Sequence, residues 1–296
     1  SYLIVVVTPA QTAWRWMFAS ELLPVAVFGG LLFSLPQSPR WLAARGRDKQ
    51  ALDVLARVDG PEFAETEMEE IRHALREQPG RLADLFAPGV RYALLIGFLL
   101  AFFNNWTGWS VMGGYIPMLF EASGIKDRAM VFLQYAVTYG FMGLMTLVAF
   151  WTVDRWGRRP LWLFACALMM LVTLLAGAVF HFHLSGWPVL LVILLCTVPH
   201  GLALGPLPWL MISEIFPIRL RGSAVSLTTA FLWLTIFAGA QLFPLMTELS
   251  EKTLGSVAGV FWLFSAVCVF GFLFGWRMLP ETKGRTLEEI AGSWRK

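Results

Sequence analysis

The chain has 296 residues, of which 57% are hydrophobic and only 15% charged, with a formal net charge of +3. A soluble domain of this size carries about 25% charged residues and shorter apolar runs, so the composition excludes an ordinary water-soluble globule. The three cysteines, Cys166, Cys196 and Cys268, each lie inside an apolar run without paired spacing, which points to packing rather than to metal or redox chemistry.

Residues 1–7 read as the end of a helix that begins earlier, since Ser1 is not a methionine and no basic N-terminal region precedes it. The expectation is a protein truncated upstream. The first long apolar run is 16–36, with Glu21 near its start. Residues 37–91 are the only long polar stretch, and two parts of it are patterned as helices. Over 48–58, Ala51, Leu52, Leu55 and Ala56 share a side; over 66–77, Met68, Ile71 and Leu75 do. The acids Glu65, Glu67, Glu69 and Glu70 read as a solvated face. These short helices are expected to lie against the cytoplasmic ends of the spanning helices.

Six runs without Asp, Glu, Lys or Arg follow, at 92–120, 129–153, 160–180, 186–213, 222–247 and 253–276. A helix rises about 1.5 Å per residue, so roughly 20 apolar residues cross the hydrocarbon layer. With 16–36 the pattern predicts seven spans. A cleaved signal peptide would supply one short run at the start, which does not account for seven.

Lysine and arginine concentrate on the cytoplasmic side of such proteins. Nineteen of the 23 fall on one side of this threading: in 37–91, in the link at Arg155, Arg158 and Arg159, in the link at Arg219 and Arg221, and in the tail. The other side holds four, Arg15, Lys126, Arg128 and Lys252. The long loop and the C-terminus are therefore expected in the cytoplasm.

Two runs carry helix breakers. Gly113, Gly114 and Pro117 interrupt 92–120, and Pro199, Gly201, Gly205, Pro206 and Pro208 interrupt 186–213. Proline removes an amide donor and clashes with the preceding turn. Within a membrane such breaks are tolerated where the backbone faces protein or a water-filled cavity. Breaks at corresponding places in two groups of three helices point to a transport site at mid-membrane.

Four motifs carry a resemblance to the sugar porter family of the major facilitator superfamily. Trp14 to Met17 with Pro36-Gln37-Ser38-Pro39-Arg40-Trp41-Leu42 resembles the end of the family's sixth helix, with Gln37 where Glu is usual. Asp154-Arg155-Trp156-Gly157-Arg158-Arg159 resembles the link between its eighth and ninth helices. Gly205-Pro206-Leu207-Pro208-Trp209, Ser213-Glu214-Ile215-Phe216-Pro217 and Arg219-Leu220-Arg221-Gly222 resemble its tenth helix and inner end. Pro280-Glu281-Thr282-Lys283-Gly284-Arg285 and Leu287-Glu288-Glu289-Ile290 resemble its C-terminal signature.

The resemblance implies an all-α membrane protein: the C-terminal six-helix bundle, helices seven to twelve, with helix six and a stub of helix five. The domains would be 1–36, the end of the N-terminal bundle; 37–91, a cytoplasmic loop; 92–279, the six-helix bundle; and 280–296, a cytoplasmic tail. The implied function is transport of a sugar or polyol by alternating access across the cell membrane, as a proton symporter when full length. The coupling acid of proton-coupled members lies in the N-terminal half, and that bundle is the expected protein partner.

The family binds sugar with two adjacent glutamines on helix seven, where this chain has Asn104 and Asn105, and with an asparagine where it has Ser110. The helix-ten tryptophan is Trp209, and one of two gating tyrosines remains as Tyr115, with Gly114 at the other. Met142 and Leu232 stand where asparagines are usual, so a less hydroxylated or aromatic solute, such as an organic acid, fits the residues as well. Helix-to-helix hydrogen bonding is the other reading of the two asparagines. Asp154, Arg155, Arg158, Arg159, Glu214, Arg219 and Arg221 are expected to form an inner latch, with Glu214 pairing with Arg158 or Arg159. Of the ionisable residues within spans, His200 is a candidate for proton handling or for packing, and Glu21 for the interface.

No cofactor, metal or nucleic-acid partner is expected, and the absence of a Ser-His-Asp set, phosphate loop or metal spacing argues against an enzyme. The rival reading is a transporter-like solute sensor, against which the short tail 280–296 argues. The threading has a direct check: in a background without native cysteines, His181→Cys and Arg158→Cys should react with impermeant maleimide from opposite faces of the membrane. Labelling from the same face would overturn it.

Overall fold

A computed structural model describes residues 4, 7, 9–76, 82–88, 90–122, 124 and 127–284. Of the stub expected over 1–7 only residues 4 and 7 are described, and the 285–290 part of the C-terminal signature lies outside the described residues. Apart from the first two residues, the chain divides into two compact units, 3–81 and 82–296.

The first unit begins with α1 (Ala10–Ser20) and α2 (Leu22–Leu32), separated by a turn at Glu21. Together they are one apolar span, Gln11–Leu32, slightly earlier than the predicted run. None of α2 is buried, so its leucines, valines and Phe28 require hydrocarbon or further protein to cover them. Then come α3 (Pro39–Ala44), α4 (Asp48–Asp59) and α5 (Pro61–Arg76). Both predicted helices of the polar stretch are present, and Pro39 starts a third, at a first-turn position where its missing N–H costs nothing. Leu42, Ala51, Leu55, Ala64, Met68 and Ile71 form their shared core. Outside it Arg72 pairs with Asp48 at 2.6 Å, joining α5 to α4.

The second unit opens with a 3₁₀ turn, Leu82–Phe86, followed by α6 (Val90–Trp106), α7 (Trp109–Gly113) and α8 (Ile116–Ala122). The predicted single run 92–120 is thus three helices. The break expected at Gly113, Gly114 and Pro117 is present, and an earlier one lies at Gly108, with φ of 118°. There only glycine is unstrained, and a Cβ would stand 3.0 Å from the Phe264 ring.

The long helices α9 (Arg128–Trp156) and α10 (Arg158–His181) follow, joined by Gly157 alone. Next, α11 (Trp187–Pro199) runs into a π turn, His200–Leu204, and then α12 (Pro206–Glu214). The last two are α13 (Ile218–Leu254) and α14 (Ala258–Arg277). Among the described residues six segments are long and apolar enough to cross a membrane, and α6 is shorter.

The closest packing is between α10 and α14. A Cβ on Gly177 of α10 would stand 2.2 Å from the Trp262 indole nitrogen of α14. Reciprocally, a Cβ on Gly275 of α14 would stand 2.3 Å from the Trp162 ring of α10. Each helix offers a glycine to the other's tryptophan, which lets the backbones approach as small residues do inside membranes. The Trp162 N–H donates to the Gly271 carbonyl at 3.0 Å, and Phe180 stacks on Phe261 at 5.0 Å. Gly177→Leu and Gly275→Leu should each lower stability by about 1–3 kcal/mol or more through overpacking. Gly222→Ala, on α13 with nothing within 4 Å of the added Cβ, should be neutral or gain up to about 1 kcal/mol. Thermal denaturation of the purified protein in detergent separates the two cases.

Candidate functional site

Two constellations are built into the second unit: a charged cluster at the short link after α9, and a polar seam where the broken helices meet.

The cluster starts from Gly157, whose φ of 89° lets α10 begin one residue after α9 ends. The backbone N–H groups of Arg158 and Arg159 therefore lack helical partners. The Glu281 carboxylate accepts from both, at 3.0 and 3.1 Å. It also accepts from the Lys283 backbone N–H at 2.9 Å. A carboxylate is well placed at this positive helix end. A Cβ on residue 157 would stand 2.7 Å from that carboxylate, so glycine there also makes room for it.

The Arg158 guanidinium spans two acids, Glu214 at 2.9 Å and Asp154, one turn earlier, at 3.2 Å. The second oxygen of Glu214 accepts from the Thr282 hydroxyl at 2.6 Å. Lys283 Nζ donates to the Arg155 carbonyl at 2.8 Å, and Arg159 Nη2 donates to the Trp276 carbonyl. Of the expected set, Asp154, Arg158, Arg159 and Glu214 are brought together, and Arg155 joins through its backbone. Arg221 is half-buried on the first turns of α13, and Arg219 is exposed there. Sequence reasoning missed Glu281, Thr282 and Lys283 as members. Their signal was their place in a C-terminal motif with no assigned partner.

The seam is formed by three consecutive residues at the end of α6. Asn104, 5% exposed, donates its amide to the carbonyls of Leu204 at 2.7 Å and Gly205 at 3.1 Å, at the break between the π turn and α12. Asn105, 1% exposed, donates to the Thr235 hydroxyl of α13 at 2.8 Å and reaches the Ala101 and Leu232 carbonyls. The Trp106 indole N–H donates to the Thr235 carbonyl at 3.3 Å. Ser110 closes the α6–α7 break by donating to the Asn104 carbonyl at 3.2 Å. The Tyr115 hydroxyl donates to the Ala240 carbonyl at 2.7 Å and its ring stacks on Phe243. Trp209 is the open member, 46% exposed on α12. The two asparagines thus make the interhelical bonds that one reading of them foresaw. Thr235, the side-chain partner of Asn105, was not anticipated.

His200 is the first residue of the π turn. Its carbonyl accepts from the Gly205 N–H at 2.8 Å, and its ring lies 6.1 Å from that of Trp109. Glu21 is exposed at the turn between α1 and α2. Among the described residues no three His, Cys, Asp or Glu side chains are grouped to hold a metal.

These arrangements can be set beside known proteins. The profile of the sugar (and other) transporter family matches residues 1–294. An arabinose-proton symporter of Bacillus subtilis is 37% identical over 288 residues, covering 97% of this chain and 61% of that protein. A D-xylose-proton symporter of Escherichia coli is 34% identical over 286 residues, covering 95% and 57%. The solved structure of a major facilitator superfamily proton:xylose symporter bound to 6-bromo-6-deoxy-D-glucose superposes with a TM-score of 0.84 at 31% identity, covering 99% of this chain and 62% of that one. The chain therefore spans about 60% of the length of these relatives.

The Arg158–Glu214 pair has side chains only 13% and 20% exposed. Its coupling should exceed that of an open surface pair and stay below that of a fully buried one, at about 1–3 kcal/mol. A double-mutant cycle on Arg158→Ala and Glu214→Ala, read by thermal denaturation, measures it. Additive losses would show that the pair contributes no specific attraction.

Proposed function

Because this chain belongs to the sugar (and other) transporter family, we propose that the whole protein carries a sugar across the cell membrane together with a proton, by alternating access. The described part corresponds on this reading to the last helix of a first bundle, the linking loop 37–91, the six-helix second bundle 92–279 and the tail. The chain has no enzymatic role. The 37–91 loop and the C-terminus face the cytoplasm, as the lopsided distribution of lysine and arginine argues.

The observation that carries the reading is the meeting of two broken helices beside Trp209. An exposed indole offers a flat apolar face for a sugar ring, and side-chain oxygens beside a break suit its hydroxyl groups. Asn104, Asn105, Ser110 and Trp209 make up the substrate region, with Tyr115 as the gate on its outer side. The names of the two symporters above support a pentose over the less hydroxylated solute that Met142 and Leu232 left open.

At the inner end, Asp154, Arg155, Arg158, Arg159, Glu214, Arg219 and Arg221 act as the latch of one transport state. A bonded charge network that breaks and re-forms is a bistable element. Glu281 and Thr282 belong to it, because they hold the helix start and the acid that Arg158 uses.

The full-length protein in proteoliposomes should take up labelled arabinose or xylose when the outside is more acidic, and uptake should collapse with a protonophore. Trp209→Ala should reduce it by about tenfold or more, the worth of a lost aromatic contact. Uptake indifferent to the proton gradient would rule out symport, and no sugar-dependent uptake or binding at all would remove the assignment.

A further inference from the structure

The seam shows where the Asn104 amide spends its hydrogens, and this bears on how the site recognises anything. In a continuous α-helix the Leu204 carbonyl would accept from the N–H four residues on. That residue is Pro208, which has none. The same carbonyl lies at the end of the π turn, two residues before α12 begins at Pro206. Asn104 Nδ2 stands 2.7 Å from it and 3.1 Å from the next carbonyl, Gly205. Two carbonyl oxygens around one amide group fix its orientation, since the reverse flip would set oxygen against oxygen.

We infer that Asn104 is a positioning residue: its amide supplies the hydrogen bond that Pro208 cannot, and so sets the place of Trp209, the next residue along. The side chain is 5% exposed, and with both carbonyls in reach its N–H groups are not left over for a ligand. Its own carbonyl accepts from Ser110 at 3.2 Å. One residue therefore ties the break after α6 to the break before α12, and a shift in either is passed to the other. Recognition at this point falls to the Trp209 face, and Asn104 acts through it. The substrate part of this inference rests on the sugar-transport reading; the backbone part does not.

The test uses the full-length protein and two substitutions. Asn104→Leu leaves a buried acceptor without its donor and should cut sugar affinity and uptake by roughly tenfold, with a lower thermal midpoint in the absence of sugar. Pro208→Ala restores an N–H at residue 208 and in the double variant should recover most of both losses. A series of sugars each lacking one hydroxyl gives the second arm. A positioning residue lowers affinity for every member by the same factor, whereas a direct ligand leaves one member, the sugar lacking its partner hydroxyl, unaffected by Asn104→Leu. A folded double variant no better than Asn104→Leu, or one such indifferent sugar, overturns the inference. If the wild type binds no sugar, the transport reading fails, while recovery of the thermal midpoint by Pro208→Ala still reports on Asn104.

Discussion

The constraint on which the second unit depends is that backbone N–H and C=O groups within hydrocarbon have no water to turn to. Unbroken helices such as α10 and α14 meet it by themselves. The broken ones do not, and each break has a side chain beside it. Ser110 bonds the carbonyl at the end of α6, Asn104 bonds two carbonyls at the entry to α12, and Trp106 and Asn105 bond α13 at Thr235. Three consecutive residues thus join α6 to two other helices. A net hydrogen bond is worth about 0.5–1.5 kcal/mol in an ordinary setting, yet an unmade buried one costs about 1–3. That asymmetry is why the breaks and the asparagines belong together: without the amides the proline-rich segment would carry its unmet carbonyls alone.

The same reasoning applies to the charged end in another form. Gly157 permits a turn so tight that α10 starts with its N–H groups exposed to whatever lies opposite. The chain places Glu281 there, from more than a hundred residues away, and uses its neighbour Thr282 to hold Glu214 against Arg158. Backbone donors, two further acids and the terminal nitrogens of one guanidinium are joined within a single cluster. Separation of α12 from the start of α10 would strand several of these groups at once.

Much of this was legible in the amino-acid order. Runs without charge reported the spans, because a charge in hydrocarbon costs several kcal/mol and selection leaves a gap. Glycine and proline reported the breaks, because their backbone restrictions are local. The pairing of Glu214 with an arginine of the α9–α10 link was foreseeable from opposite charge at the same end of the threading. What was not legible depends on backbone atoms or on close fit. The carbonyls of Leu204 and Gly205 have no residue type to announce them, so the partners of Asn104 stayed hidden, and the run 92–120 gave no sign that Gly108 would break it as well. The exchange of Gly177 and Gly275 for Trp262 and Trp162 needs the register of two helices some eighty residues apart or more. The partner of Glu281 is a pair of N–H groups whose identity is irrelevant to the bond.

Asn104 and Asn105 stand where the resemblance to sugar porters implies glutamines that touch sugar, each one methylene shorter. Shortening by one methylene has a consequence inside the bundle as well as in the cavity. An asparagine amide stays close to its own backbone, within reach of the helices packed against it, while a glutamine amide can extend past them. Here the near reach is used: Asn104 goes to the adjacent break and Asn105 to the adjacent helix. Trp209, by contrast, is long, flat and half-exposed, and makes no use of its length within the bundle's core. The polar seam and the exposed indole therefore divide the work, one holding the broken backbone in place and the other presenting a surface. That division follows from side-chain length and from the need to satisfy carbonyls, and it holds whatever the solute.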